Sequence, residues 1–151
     1  MKEKHEESPR DYVREITAKY IGPRRKSAVI TGSDEAARFV RTVLRDEVRE
    51  HLVALYLDGA HRIASYSLVS IGCAISAPVH PREIFQPAVL IGACSLIVGH
   101  NHPSGELAPS NEDRKVTKRL AEAGALLSIA LLDHVIVTPQ GYYSFKDSGE
   151  L

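Results

Sequence analysis

"CSLIVGHNHPSGELAPSNEDRKVTKRLAEAG", residues 94–124, reads as three structural pieces in one line. CSLIVGH is a short continuous apolar run, the pattern of a strand buried on both faces. PSGELAP is punctuated by two prolines and a glycine and reads as a loop. SNEDRKVTKRLAEAG follows the helical period, with Ser110 as N-cap, an acid at the third helical position and Gly124 expected to end it. The apolar run LLSIALLDHVIVT comes next, so strand, helix and strand interleave. That order predicts an α/β protein with one sheet and helices packed against it.

The flanking sequence extends the same alternation. TGSDEAARFVRTVLRDEVRE, residues 31–50, is expected as one long helix. Ala36, Phe39, Val40, Val43 and Leu44 keep its period, and Ser33 or Thr31 is the expected cap. In EHLVALYLDGAHRIASYSLVSIG the period changes to two, with Val53, Leu55 and Leu57 alternating with Leu52, Ala54 and Tyr56. Strands are expected at 51–57 and 62–70 around an Asp58-Gly59 turn. HPREIFQPAVLIGA is helical, with Pro81 in the first turn and a kink or restart at Pro87. GYYSF closes the chain as a strand after the PQG turn. Residues 1–26 form a polar arm, with a short helix at 10–20 on which Val13, Ile16 and Tyr20 share a face. Residues 27–151 form a single domain.

Composition excludes several classes. Of 151 residues, 44% are hydrophobic and 25% charged, the balance of a globular domain. The 19 basic and 19 acidic side chains cancel, so no overall field favours DNA through its phosphates. GPRRK at 22–26 is the one local basic run, and its plain reading is a solvated loop. No stretch has the length of a membrane span, and MKEKHEESPR lacks the apolar centre of a signal peptide. A cytoplasmic protein is expected. Cys73 and Cys94 sit singly in apolar contexts, which predicts two buried thiols rather than a disulfide.

The chemistry concentrates in GHNHPSGELAPSNED. On an extended backbone residues i and i+2 point to one face, and Pro103 biases the residue before it toward extension. His100 and His102 therefore suit one zinc ion as a pair, although two ordinary loop histidines would look the same. Ser110 and Asp113 form a capping box, which by itself needs no function. If the loop folds back, Asp113 becomes the third protein ligand and a fourth position stays open, as in a catalytic zinc site. Ser110 would then lie beside the metal with a hydroxyl available to an oxyanion. The water in such a site needs a base that is not a ligand. Glu50 is the candidate, because an acid at the end of a helix opposes the dipole without local reward. Asp46 and Glu47 are rivals, both expected inside the helix and facing solvent.

EHLVALYLDGAHR, HPREIF, GHNHPSG, PSNEDRKVTKRL and LLDHVIV occur here in the order in which they occur in the RadC family, which residues 28–148 resemble. The main domain of that family has the JAMM (MPN-plus) metalloprotease-like fold. The resemblance implies a curved, partly barrel-like mixed sheet flanked by helices, related to the cytidine deaminases. It implies that His100, His102 and Asp113 bind zinc and that Glu50 is the general acid/base. Ser110 would stabilise the tetrahedral intermediate. The implied activity is zinc-dependent hydrolysis of an amide bond in a peptide or isopeptide substrate. Longer members carry a helix-hairpin-helix segment ahead of this domain, for which the 27 residues here leave no room, so its DNA contact is expected to be missing. The alternative is a non-catalytic module that keeps the fold as a DNA-repair-associated or partner-binding surface.

Other arrangements fit less well. The deaminase marks H-x-E and Pro-Cys-x-x-Cys are absent near the site, and H-E-x-x-H does not occur. Cys94 with His100 as nucleophile and base is opposed by the expected burial of Cys94. Asp133 and His134 should face opposite sides of an apolar strand as a satisfied structural pair, with room for a role behind a metal ligand. His80 and Arg82 read as capping and surface charge.

Overall fold

A computed structural model of the chain describes residues 16–17, 19–72 and 79–151. These form, in order, α1 (Ser33–Val43), β1 (His51–Leu57), β2 (Ile63–Ile71), α2 (Pro81–Ile91), β3 (Ser95–Asn101), α3 (Asn111–Leu127), β4 (Ala130–Thr138) and β5 (Gly141–Ser144). The strands make one five-stranded sheet in the order β2-β1-β3-β4-β5. β1 is antiparallel to β2 and β3, β3 and β4 are parallel, and β5 returns antiparallel to β4. A parallel pair needs a crossover, and α3 supplies it. A single mixed α/β domain with helices on both faces is the architecture that the resemblance implied.

β1 and β3 are buried along their whole length, which is why neither alternates apolar with polar residues. Val53, Leu55 and Leu57 of β1 pack with Ala36, Ala37, Val40 and Val43 of α1. Leu52, Ala54 and Tyr56 point the other way, into a cluster with Ile84, Phe85 and Ala88 of α2 and Leu120 of α3. Two glycines mark the closest approaches. A Cβ at Gly99 would stand 2.5 Å from Val40 Cγ2, so α1 lies directly on β3. A Cβ at Gly124 would stand 2.5 Å from the Ile129 carbonyl oxygen, where the chain turns from α3 into β4.

The structure corrects several expectations. The helix expected over 31–50 stops at Val43, with an extended C-cap at Leu44. The Asp46 carboxylate accepts from the backbone N–H of Val48 and Arg49 at 3.1 and 2.9 Å, an alternative to the helical ladder that keeps this segment as a turn. Asp46 and Glu47 are therefore not helical, and Glu50 does not oppose a helix dipole. Gly32, not Ser33 or Thr31, occupies the N-cap, with no side-chain cap. Ser33 instead bonds Tyr142 and Asp147 near the C-terminus.

α2 continues through Pro87 without restarting, held on the core by Ile84, Phe85 and Ala88 on one face. α3 passes Gly124 and ends at Leu127, with Ser128 taking the left-handed cap. Cys94 is exposed just before β3, so it is no core thiol. Cys73 lies outside the described residues. So do 10–15 and 18 of the short helix expected at 10–20; residues 16, 17, 19 and 20 carry no helix. Arg25 lies over the Tyr66 ring at 5.8 Å, and the Ser27 hydroxyl donates to the Ile63 carbonyl at 2.9 Å. The basic run at 22–26 is exposed, as a solvated loop should be.

Candidate metal centre

Strand parity brings the site together. On β3, Leu96 and Val98 face α2 and α3, and His100 follows on that side. His100 is paired with Leu52 on β1 and Ile136 on β4, so it sits mid-sheet at the end where β1 begins. Glu50 immediately precedes β1 at that end. Beyond the strand, the His102 N–H donates to the Val137 carbonyl at 3.1 Å. A turn closes with the Gly105 N–H on the His102 carbonyl at 3.0 Å, Gly105 having φ 82°.

The loop then returns the chain to the start of α3. There Ser110 and Asp113 complete the capping box: Ser110 N–H donates to Asp113 Oδ2 at 2.7 Å, and Asp113 N–H to Ser110 Oγ at 3.1 Å. His100 Nε2 is 3.3 Å from Asp113 Oδ1, and His102 Nε2 is 3.5 Å from Asp113 Oδ2. Glu50, His100, His102 and Asp113 each offer a donor atom within 4.8 Å of all the others.

The hydrogen bonds of the two imidazoles leave their Nε2 atoms without a fixed partner. His102 Nδ1 is 2.6 Å from the Glu106 carbonyl, which only accepts, so Nδ1 carries a proton. His100 Nδ1 faces His134 Nε2 at 2.8 Å. The Nε2 atoms of His100 and His102 are left facing each other at 2.9 Å, beside the Asp113 carboxylate. Two imidazole lone pairs and a carboxylate at such spacing repel unless a proton or a metal cation lies among them. Ligand atoms about 2.0–2.1 Å from a tetrahedral ion stand roughly 3.3 Å apart. The His–Asp separations are close to this and the His–His separation of 2.9 Å is shorter, so these residues can hold a metal ion after a small opening of the imidazole pair.

The electrostatics agree. Burial pushes His100 down to about 4, against the pull of Asp113. His102 is raised, chiefly by its hydrogen bond to Asp113 and against its burial. Burial alone would raise Asp113, but the His102 hydrogen bond, the His100 charge and the bonds from Ser110 hold it well below the carboxylate range. Glu50 is half-buried and raised, first by desolvation and then by the Asp113 charge, with His102 opposing.

Without metal, His102 is thus the proton carrier of the cluster. Its folded-state pKa lies above the unfolded one, so the stability it adds is full below about pH 6.5 and is lost as pH rises through the raised value. Calorimetry of metal-free protein from about pH 5 to about pH 9 should show the advantage of wild type over His102→Gln shrinking as pH rises. An advantage that grows with pH would contradict this assignment.

Ser110 is exposed, and its hydroxyl donates to Asp113 Oδ2 at 2.7 Å. Its proton is therefore committed to the Asp113 carboxylate. Ser110→Ala should lower stability by about 1 kcal/mol, read as a lower urea midpoint at unchanged slope. An unchanged midpoint would mean that the cap contributes nothing.

Three contributors carried weaker signals in the sequence. Asn101, pointing to the face opposite His100, accepts from the His51 N–H at 2.7 Å and donates to the Arg49 carbonyl at 2.9 Å. It clamps the residues on either side of Glu50; only its place between two histidines hinted at this. His134 and Thr117 lie behind His100. Asp133 faces away, accepting from Ser144 Oγ at 2.7 Å and the Lys146 N–H at 3.0 Å. His80 caps α2 through the Arg82 N–H at 3.1 Å, as expected. A cavity of about 500 Å³ opens beside His102, lined among others by Arg41, Arg45, Asn101, Pro103 and Thr138.

Residues 30–150 match the family described as the RadC-like JAB domain. The chain is 45% identical to a UPF0758 protein of Chlorobaculum parvum over 118 residues, 78% of this chain and 53% of the relative. It is 48% identical to one of Trichlorobacter lovleyi over 113 residues, 75% and 49% of the two chains. A UPF0758 protein of Bacillus licheniformis is 45% identical over 123 residues, 82% and 55%. The chain thus spans about half the length of the curated relatives it matches.

Proposed function

The chain belongs to the RadC family, and from that premise we propose that it is a zinc-dependent hydrolase that cleaves an amide bond in a peptide or isopeptide. The observation that carries the reading is the pair of facing Nε2 atoms beside Asp113, with the half-buried Glu50 carboxylate within 4.8 Å. Two imidazoles and one carboxylate suit zinc and leave a coordination position for water or substrate, as catalytic sites do. When bound, zinc supplies Lewis acidity, polarising the scissile carbonyl and bringing the pKa of water near neutrality.

The protein's own groups do the rest. His100, His102 and Asp113 hold the ion. Glu50 takes the proton of the attacking water on its carboxylate, stores it, and delivers it to the leaving nitrogen. The raised pKa of Glu50 supports this double duty, because a carboxylate at its ordinary value would hold the proton too weakly. Ser110 holds Asp113 in place, and its hydroxyl serves the oxyanion once it turns away from Asp113 Oδ2.

The reading is tested with zinc-loaded and chelator-stripped protein on a panel of peptide and isopeptide amides. Cleavage should need zinc and return when zinc is restored. Equal cleavage by stripped and loaded protein would take the metal out of the reaction.

A further inference from the structure

His100 needs its Nε2 lone pair free for a cation, and a neutral imidazole has one only if its proton sits on Nδ1. Metal-bound histidines commonly secure this by donating the other N–H to a carboxylate or a carbonyl. Here the partner of His100 Nδ1 is a second imidazole, His134 Nε2, at 2.8 Å. An imidazole nitrogen can donate or accept, so this contact alone does not set the direction.

The next contact sets it. His134 Nδ1 lies 2.6 Å from Thr117 Oγ1, and Thr117 Oγ1 lies 2.7 Å from the Asp113 carbonyl oxygen. That carbonyl only accepts, so the single hydroxyl proton of Thr117 goes to it. Thr117 must then accept from His134 Nδ1–H. His134 is fully buried, stacked on Phe145 at 4.9 Å, and the neighbouring Asp133 is spent on Ser144 and Lys146. With no countercharge in contact it is neutral and carries one proton. Its Nε2 therefore accepts, and His100 Nδ1 donates. The path begins at the Asp113 backbone and ends at the metal position beside the Asp113 carboxylate. Thr117, four residues on, shares that face of α3.

We propose that Thr117 and His134 are positioning residues that hold His100 with its proton on Nδ1 and its Nε2 lone pair turned to the metal position. This rests on the reading of His100 as a metal ligand. The rival arrangement reverses every proton, leaves His100 protonated on Nε2, and is incompatible with binding.

The test uses the full chain, metal-free and 15N-labelled, at about pH 6, where His102, raised above its ordinary value, still carries the Nε2 proton that faces His100. Long-range proton–nitrogen correlations of the imidazoles, assigned by single substitutions, report each tautomer. Wild type should show both His100 and His134 protonated on Nδ1. Thr117→Val removes the acceptor, so His134 should move its proton to Nε2 and drive His100 to do the same. Thr117→Ser should restore the wild-type tautomers. Zinc affinity by chelator competition should fall about 10- to 100-fold in Thr117→Val and recover to within about threefold in Thr117→Ser. Wild-type His100 protonated on Nε2 overturns the proposal even if Thr117→Val fails to fold. So does Thr117→Val with wild-type tautomers and zinc affinity. A wild type that takes up no zinc while showing the expected tautomers would count against the hydrolase reading, and only the hold of Thr117 and His134 on the His100 tautomer would stand.

Discussion

Glu50→Gln should keep zinc and lose hydrolysis, by about 10²- to 10⁴-fold in kcat/KM. The two carboxylates of the site sit in different environments. Asp113 is held ionised by His102, His100 and Ser110 despite its burial, as a ligand should be. Glu50 is raised by its own burial and by the Asp113 charge, as a group that must hold a proton and release it should be. Glutamine keeps the shape and the polarity of Glu50 but cannot take a proton. The acid limb of the wild-type pH–rate profile should sit above the ordinary glutamate value and should be absent in the variant. Equal rates would remove Glu50 from the reaction. Loss of zinc together with activity would make it a fourth ligand and close the site, the arrangement of a structural ion.

His100→Ala and Asp113→Asn should each lower zinc affinity by at least about a hundredfold. Zinc held by protein ligands has an apparent binding free energy of about 10–16 kcal/mol at neutral pH, so one ligand of three carries several kcal/mol. Asp113→Asn is the more informative change. The amide keeps an oxygen for the Ser110 N–H and so preserves most of the capping box, while the charge beside both histidines is lost. Its metal-free stability should stay closer to wild type than that of His100→Ala, which also strips His134 Nε2 of its partner in a fully buried position. Chelator competition gives the affinities and urea denaturation the stabilities. Wild-type affinity in Asp113→Asn would show that the carboxylate is not a ligand.

The strand–loop–helix of residues 94–124 was legible because periodicity, two prolines and a capping box all pointed one way. His100, His102 and Asp113 lie together as their spacing suggested, since strand parity and a loop that turns at Gly105 bring the start of α3 back to the end of β3. Glu50 does not end a helix, the local feature that sets it apart in the sequence. The helix expected to end at it stops at Val43, because the Asp46 side chain takes the backbone N–H groups that a helix would have used. Its nearness to the histidines comes from β1 lying beside β3, a long-range pairing that no local pattern reveals.

The same limit hid Thr117 and Asn101. Thr117 looks like an ordinary polar residue of an amphipathic helix until β4 places His134 against it. Asn101 looks like a spacer until β1 brings the peptides around Glu50 to its amide. Gly124 read as a helix stop, whereas its missing Cβ is needed for the close pass of Ile129. No helix among the described residues is long and apolar enough to cross a membrane, in line with the polar composition.

The central claim is that one ion sits among His100, His102 and Asp113 with Glu50 beside it. Anomalous diffraction from crystals of the zinc-loaded protein, collected on both sides of the zinc absorption edge, addresses it directly. The expected result is a single strong peak bonded to both Nε2 atoms and to an Asp113 oxygen, with the Glu50 carboxylate outside bonding distance. A peak elsewhere, or none among these residues at saturating zinc, would contradict it.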